Sequence, residues 1–392
     1  MEFEYWWLLG FPLFFGLGWL AARIDIRHLV RESRSLPQSY FKGLNFLMNE
    51  QPDKAIEAFI EVVKVDPETI ELHFALGSLF RRRGEYDRAI RMHQNLIERA
   101  DLTAEQKLSA LAELGEDYLR AGILDRAEEV FKELEKTQSE SQAKGSLLQI
   151  YEQEKDWPRA IEIARSLASG ASEPRARDVA QYLCELAASE AAQSRPEEAR
   201  RHLEAALEEN RQCVRASLLL GDLERNNGAL EKAIAHWKRI ENQNPTYLAL
   251  VAQRLLDAHK ELGRAEDGLR LLEGYLERYP SLDLLDTVFQ QTLDTLGHEA
   301  AYKLVRDEVR RNPTLLGLDR LLEAQIIGAA DAERRRDLEL LRNLVHGHTR
   351  RLARYRCENC GFKARQFHWR CPGCGGWETY PPRRTEEFDL TP

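Results

Sequence analysis

In the stretch DKAIEAF the alanine Ala55 has a counterpart 34 residues on, Ala89 of DRAIRMH, and the same step relates Gly43 to Gly77 and Phe46 to Phe80. The frame returns at Ala127, Ala160, Ala199 and Ala233, then more weakly at Gly268 and Ala301, with steps of 38, 33, 39, 34, 35 and 33 residues. No other feature constrains the fold as tightly. One helix pair of this length cannot bury its apolar face alone, whereas stacked pairs share a continuous core and wind into a superhelix. Glycine and alanine stand where two helices cross closely, and the leucine and aromatic positions of LGSLF (76–80) and LGEDY (114–118) fill the wedge. Pro67, Pro245, Pro280 and Pro313 close units by refusing to continue a helix. A period near 34 with these positions is that of the tetratricopeptide repeat. The expected fold is all-α: a superhelix of about eight repeats over residues 36–315, then C-terminal helices and a basic linker over 316–353.

Such an array offers surface rather than chemistry. Its sequence holds no nucleophile setting, phosphate loop or acid–base pair at a diagnostic spacing, so the expectation is a binding protein and not an enzyme. With the first helix of each pair facing inward, Phe74, Arg81, Arg82, Arg120, Arg215 and Arg225 would line the groove, a basic ladder suited to an acidic peptide or protein surface. The formal net charge of −9 argues against nucleic acid as a general partner. That charge is uneven, because residues 350–384 carry nine Arg and Lys against Glu358 and Glu378. The tail is basic and the body acidic.

At the other end, Tyr5–Ala22 is eighteen residues without a charge, close to the shortest run that spans a bilayer core. Tyr5, Trp6, Trp7 and Trp19 sit where interfacial aromatics belong, and Arg23, Arg27, Arg31 and Arg34 follow. The reading is an N-terminal transmembrane anchor over 1–23, a basic juxtamembrane linker over 24–35, a periplasmic N-terminus and a cytoplasmic remainder: a single-pass inner-membrane protein. Cytoplasmic thiols stay reduced, so a cysteine cluster there signals metal rather than disulfides. Cys184 and Cys213, alone in helical patterns, read as small buried apolar residues.

Four of the six cysteines fall within YRCENCGFKARQFHWRCPGCGGWETYPP, residues 355–382. Cys357-x-x-Cys360 and Cys371-x-x-Cys374 are two knuckles, each able to aim two thiolates at one metal, with Gly361 and Gly375 following where the backbone must turn with positive φ. Four convergent thiolates suit one Zn²⁺ or one Fe ion. A unit of this size, residues 354–384 ahead of a short tail (385–392), needs such a staple to fold. It would cap the array's last helices or form part of a partner site.

YRCENCGF and CPGCGGW resemble rubredoxin knuckles, although rubredoxin's long intervening segment is absent, so electron transfer is not implied. Taken with the order of anchor, repeats and knuckles, and with the stretches 40–62, 76–98 and 354–377, the chain resembles the lipopolysaccharide assembly protein B family over nearly its whole length. That resemblance implies an inner-membrane regulator of lipopolysaccharide synthesis. It would present the lipid A deacetylase LpxC to the membrane protease FtsH, with other lipopolysaccharide assembly proteins as further partners. It also assigns the metal-binding role to Cys357, Cys360, Cys371 and Cys374. Rival readings are another tethered interaction scaffold, an RNA-binding tail using Trp369 and the surrounding basic residues, or a redox carrier. A homo-oligomer is left open.

Overall fold

The computed structural model describes residues 38–65, 69–168 and 174–386, with Phe15 and Trp19 besides. The chain divides into two compact units, Met1–Glu154 and Lys155–Pro392.

The first unit contains, among the described residues, helices α1 (Gln38–Met48), α2 (Pro52–Val65), α3 (Ile70–Arg82), α4 (Tyr86–Glu98), α5 (Ala104–Ala121), α6 (Leu124–Leu134) and α7 (Glu140–Glu154). Local sequence sets their bounds. Thr103 Oγ1 accepts from the Gln106 N–H while the Gln106 side chain accepts from the Thr103 N–H at 3.0 Å, and Gly122, with φ 75°, ends α5. Such caps stabilise a helix by about 1 kcal/mol. The repeat glycines mark crossings: a Cβ on Gly43 would fall 2.4 Å from the Phe59 ring, and one on Gly77 2.3 Å from His93. Ala55, Phe59, Leu72, Leu76, Phe80 and Ala89 form one shared core.

The second unit continues with α8 (Trp157–Ala168), α9 (Pro174–Ala192), α10 (Pro196–Glu209), α11 (Val214–Asn226), α12 (Leu230–Gln243), α13 (Leu248–Glu261), α14 (Ala265–Arg278), α15 (Leu282–Leu296), α16 (His298–Arg311), α17 (Leu315–Gly328) and α18 (Ala332–Leu352). Its core runs unbroken from Val214 through Trp237, Leu255, Tyr275 and Phe289 to Ala324, the continuity that repeat stacking requires. Arginines tie neighbouring repeats at the surface. Arg254 meets Asp222 at 2.7 Å, Arg225 meets Glu261 at 2.6 Å, and Arg320 meets Asp286 at 2.7 Å. Arg264 pairs with Glu231 and Arg278 with Glu241 in the same manner. After α18 the chain enters a three-stranded antiparallel sheet in the order β2-β1-β3, with β1 (Ala353–Arg356), β2 (Lys363–Ala364) and β3 (Thr385–Glu386). Tyr355 pairs with Ala364, and Arg354 with Thr385.

One expectation is corrected. No helix among the described residues is long and apolar enough to cross a membrane, so the reading as a single-pass inner-membrane protein is not upheld. The physical reason lies in composition. The helices with sufficient length, α5 at 18 residues, α9 at 19 and α18 at 21, are interrupted by charge, including Lys107, Glu113, Glu116 and Asp117 in the first, Arg177, Asp178, Glu185 and Glu190 in the second and Arg334, Arg335, Arg336 and Asp337 in the third. A charged side chain at a bilayer centre costs several kcal/mol. The expected span Tyr5–Ala22 and the linker 24–35 lie outside the described residues, apart from Phe15 and Trp19.

Candidate metal centre

Each cysteine pair sits on a turn built by its own backbone. In the first, the Gly361 N–H donates to the Cys357 carbonyl (3.0 Å) and the Cys357 N–H to the Phe362 carbonyl (2.9 Å). In the second, the Gly375 N–H donates to the Cys371 carbonyl (2.8 Å) and the Cys371 N–H to the Gly376 carbonyl (2.9 Å). Gly361 and Gly375 have φ of 75° and 70°, the left-handed region that a side chain rarely enters. Gly373 also allows close approach, since a Cβ there would stand 3.3 Å from the Cys360 sulfur.

The four sulfurs lie within 4.8 Å of one another. Cys357 and Cys374 are 3.8 Å apart, and Cys360 and Cys371 are 3.7 Å apart. A metal–sulfur bond of about 2.3 Å implies a tetrahedron edge of roughly 3.8 Å, so this donor set fits one Zn²⁺ or Fe ion. Cys357 and Cys371 are buried, whereas Cys360 and Cys374 are exposed. The thiols are not equivalent. Burial pushes Cys357 up, but the Thr379 hydroxyl and the N–H groups of Cys360 and Asn359 outweigh it and bring it down to about 6. Burial drives Cys371 to about 12 against the N–H groups of Cys374 and Gly373. The Gly376 N–H, first among several donors, holds Cys374 below the ordinary thiol value. A divalent cation is what would let all four ionise together.

The ribbon is seated against the repeats of its own unit through aromatic side chains. Trp377, 7% exposed, meets Trp157 and Tyr182 edge-on with centroids 6.3 Å away, while those two rings stack on each other at 5.7 Å. Trp369 stacks on Tyr247 at 5.4 Å, and Phe367 meets the same tyrosine edge-on at 6.2 Å. Each such pair contributes roughly 0.5–1.5 kcal/mol beyond its buried area. Arg215 lies between the two indoles, 5.7 Å from the Trp369 ring and 5.7 Å from Trp377, and its guanidinium donates to Glu185 at 2.8 Å. Beside Trp377, Glu378 takes φ 53°, unusual for a residue with a side chain, and its carboxylate accepts from Gln181 at 2.6 Å. Arg384 then reaches Asp283 at 2.5 Å and Asp286 at 3.2 Å. The seat is thus formed by α8, α9, α11, the turn that carries Tyr247, and α15. It is not the cap over the array's end that the sequence suggested, and Leu340, Leu341 and Leu344 of α18 stay exposed.

The expected groove residues have different immediate surroundings. Arg81 is held by Glu113 (2.5 Å) and Asp117 (2.8 Å), the latter bonded to buried His93. Phe74 packs on Leu96 and Ala110. Arg82 is exposed, and Arg120 bonds Glu116 within its own helix at 2.9 Å. Arg225 bridges to Glu261, and Arg215 serves the ribbon. Sequence reasoning missed Trp157, Tyr182, Tyr247 and Asp283, because no spacing links residues so far apart in the chain. Cys184 and Cys213 are fully buried with sulfurs 3.9 Å apart, and burial raises Cys184 well above the ordinary thiol value, so it is inert.

Stacked helix pairs with a four-thiolate ribbon docked among them define a tetratricopeptide-repeat protein carrying a rubredoxin-like metal-binding domain. Comparison with known proteins agrees: a tetratricopeptide repeat family model matches residues 42–101, 112–174 and 184–247, and a rubredoxin metal binding domain model matches 355–382. Lipopolysaccharide assembly protein B of Escherichia coli (strain K12) is 32% identical over 95% of this chain and 96% of its own length. The protein of the same name from Haemophilus influenzae (strain ATCC 51907 / DSM 11121 / KW20 / Rd) is 31% identical over 96% of this chain and 98% of its own. The chain belongs to the lipopolysaccharide assembly protein B family.

Proposed function

We propose that this chain is a non-catalytic adaptor that restrains lipopolysaccharide synthesis by bringing the deacetylase LpxC to the protease FtsH for degradation. The observation that carries the reading is its nearly full-length similarity to lipopolysaccharide assembly protein B, across repeats and knuckles alike. Physics supports an adaptor: two proteins held on one repeat surface meet at an effective concentration set by the scaffold rather than by the cell. One Fe or Zn ion on Cys357, Cys360, Cys371 and Cys374 would supply shape, fixing the ribbon that carries Trp369 and Trp377. Of the expected groove arginines, Arg82 and Arg120 are exposed and are the ones an acidic partner would meet first.

The test is the half-life of LpxC in cells. It should be short with the wild-type chain and should lengthen both on loss of the chain and with Cys371→Ser. An unchanged half-life on complete loss of the chain would overturn the reading.

A further inference from the structure

In four of the repeats, the residue twelve before the repeat alanine is a glycine that meets the residue four after it where the two helices cross. Gly43 and Phe59, Gly77 and His93, Gly115 and Phe131, and Gly221 and Trp237 are such pairs, and a Cβ on each glycine would fall within 2.8 Å of the facing ring. In the pair α9/α10 the same two positions hold Ala187 and Leu203. The position nine before the alanine is aromatic in Phe46, Phe80, Tyr118 and Tyr151, but it is Glu190 here and Glu224 in the next repeat, and Glu190 pairs with Arg195 at 2.6 Å. This repeat therefore has a ring at neither position, as is also true of the repeat of Ala301 with Thr292 and Val305. Between α9 and α11 lies a cleft of about 390 Å³, floored by the small or aliphatic side chains Ala187, Ala199 and Leu203.

The rim is polar and almost free of net charge. Asn226 and Asn227 stand on it with side-chain amides that bond nothing else among the described residues. Among the residues lining the cleft, Asp222 alone is charged, and Arg254 neutralises it. An amide offers one acceptor and two donors, the complement of a peptide group, whereas a phosphate or carboxylate would find no cation among the lining residues, the nearby Arg195 and Arg254 being paired with Glu190 and Asp222. The volume lies at the lower end for ligand pockets, enough for one large side chain with its flanking backbone.

We infer that the α9–α11 cleft is a peptide-binding subsite, which takes one aliphatic or aromatic side chain of an extended partner segment while Asn226 and Asn227 hold the adjoining backbone. The choice of a protein as occupant rests on the adaptor reading above. Ala188 and Ala191 are exposed at the mouth of the cleft, so enlarging either blocks entry without disturbing the buried floor.

The experiment pans a phage-displayed library of random peptides against the full chain, with the Ala191→Trp and Asn226→Ala variants in parallel. Circular dichroism confirms that each variant is folded, and Ala188→Trp is the second blocking variant should Ala191→Trp fail. The wild type should enrich peptides sharing one large apolar residue. Blocking should weaken those peptides roughly tenfold or more, the scale of a lost apolar side chain. Asn226→Ala should weaken them less and keep the same preference. No apolar consensus, or a consensus that survives both blocking variants, would overturn the subsite. A separate arm tiles the LpxC sequence as peptides. Apolar random peptides that bind while no LpxC segment does would leave the subsite standing and count against LpxC as the adaptor's cargo.

Discussion

Arg215 sits where a single side chain serves both halves of its unit. Its guanidinium faces two indoles of the ribbon while bonding Glu185 of α9, and only a flat, delocalised cation satisfies both demands. Removing it takes one cation away from both indoles, leaving Trp377 to Arg370 and Trp369 to Tyr247, and leaves Glu185 without its cation. Arg215→Ala is therefore expected to lower the stability of the unit Lys155–Pro392 by about 2–4 kcal/mol, and Arg215→Lys to recover less than half of that. Urea unfolding followed by tryptophan fluorescence measures it, and a wild-type midpoint for the alanine variant would remove Arg215 from this role. The sequence placed Arg215 on the inner side of the array from its position in the repeat. It could not say that the ribbon would lie over it, because that depends on Trp369 and Trp377, more than 150 residues away. The four cysteines posed no such difficulty. Their ligand geometry is written in two-residue spacings and in the glycines that follow, and the sulfurs converge accordingly.

At the level of the helix pair, the repeat glycines carry a clear contrast. A Cβ on Gly221 would fall 2.2 Å from the Trp237 indole nitrogen, a fully buried group that donates to the Leu218 carbonyl at 3.2 Å. Gly274, midway along α14, meets only the end of Arg278 at 3.9 Å. Alanine is the better helix former by about 0.8–1.0 kcal/mol at an open site, but overpacking a crossing costs about 1–3 kcal/mol. Gly221→Ala should thus lower the melting temperature and Gly274→Ala raise it, by differential scanning calorimetry. A rise in both would mean that the crossing is not tight. These crossings were legible in advance because a period near 34 residues is a local signal repeated many times over. The apolar run at the N-terminus, with its flanking aromatics and arginines, is an equally local signal, but the described helices are too charged to provide a span.

For the molecule as a whole, metal removal separates ribbon from repeats. The ribbon's contacts with Trp157, Tyr182, Tyr247 and Asp283 all lie inside the unit Lys155–Pro392. Chelation should therefore raise hydrogen exchange across α8, α9, α11 and α15 while the core around Phe59 and Phe80 in the other unit keeps its protection. Equal loss in both units, or none in either, would contradict this arrangement. The surface arginines of the second unit bear on a different matter, the order in which repeats find their neighbours. Similar repeats can stack wrongly, one pair skipping the next and still burying apolar surface, a characteristic failure of repeat proteins. Here the acid partner comes from the following repeat for Arg225, but from the preceding one for Arg254, Arg264, Arg278 and Arg320. A skipped neighbour would strand those charges without their partners. Each exposed pair adds little stability, about 0–1 kcal/mol, but together they act as address labels, telling a half-made chain which of several look-alike surfaces is its own.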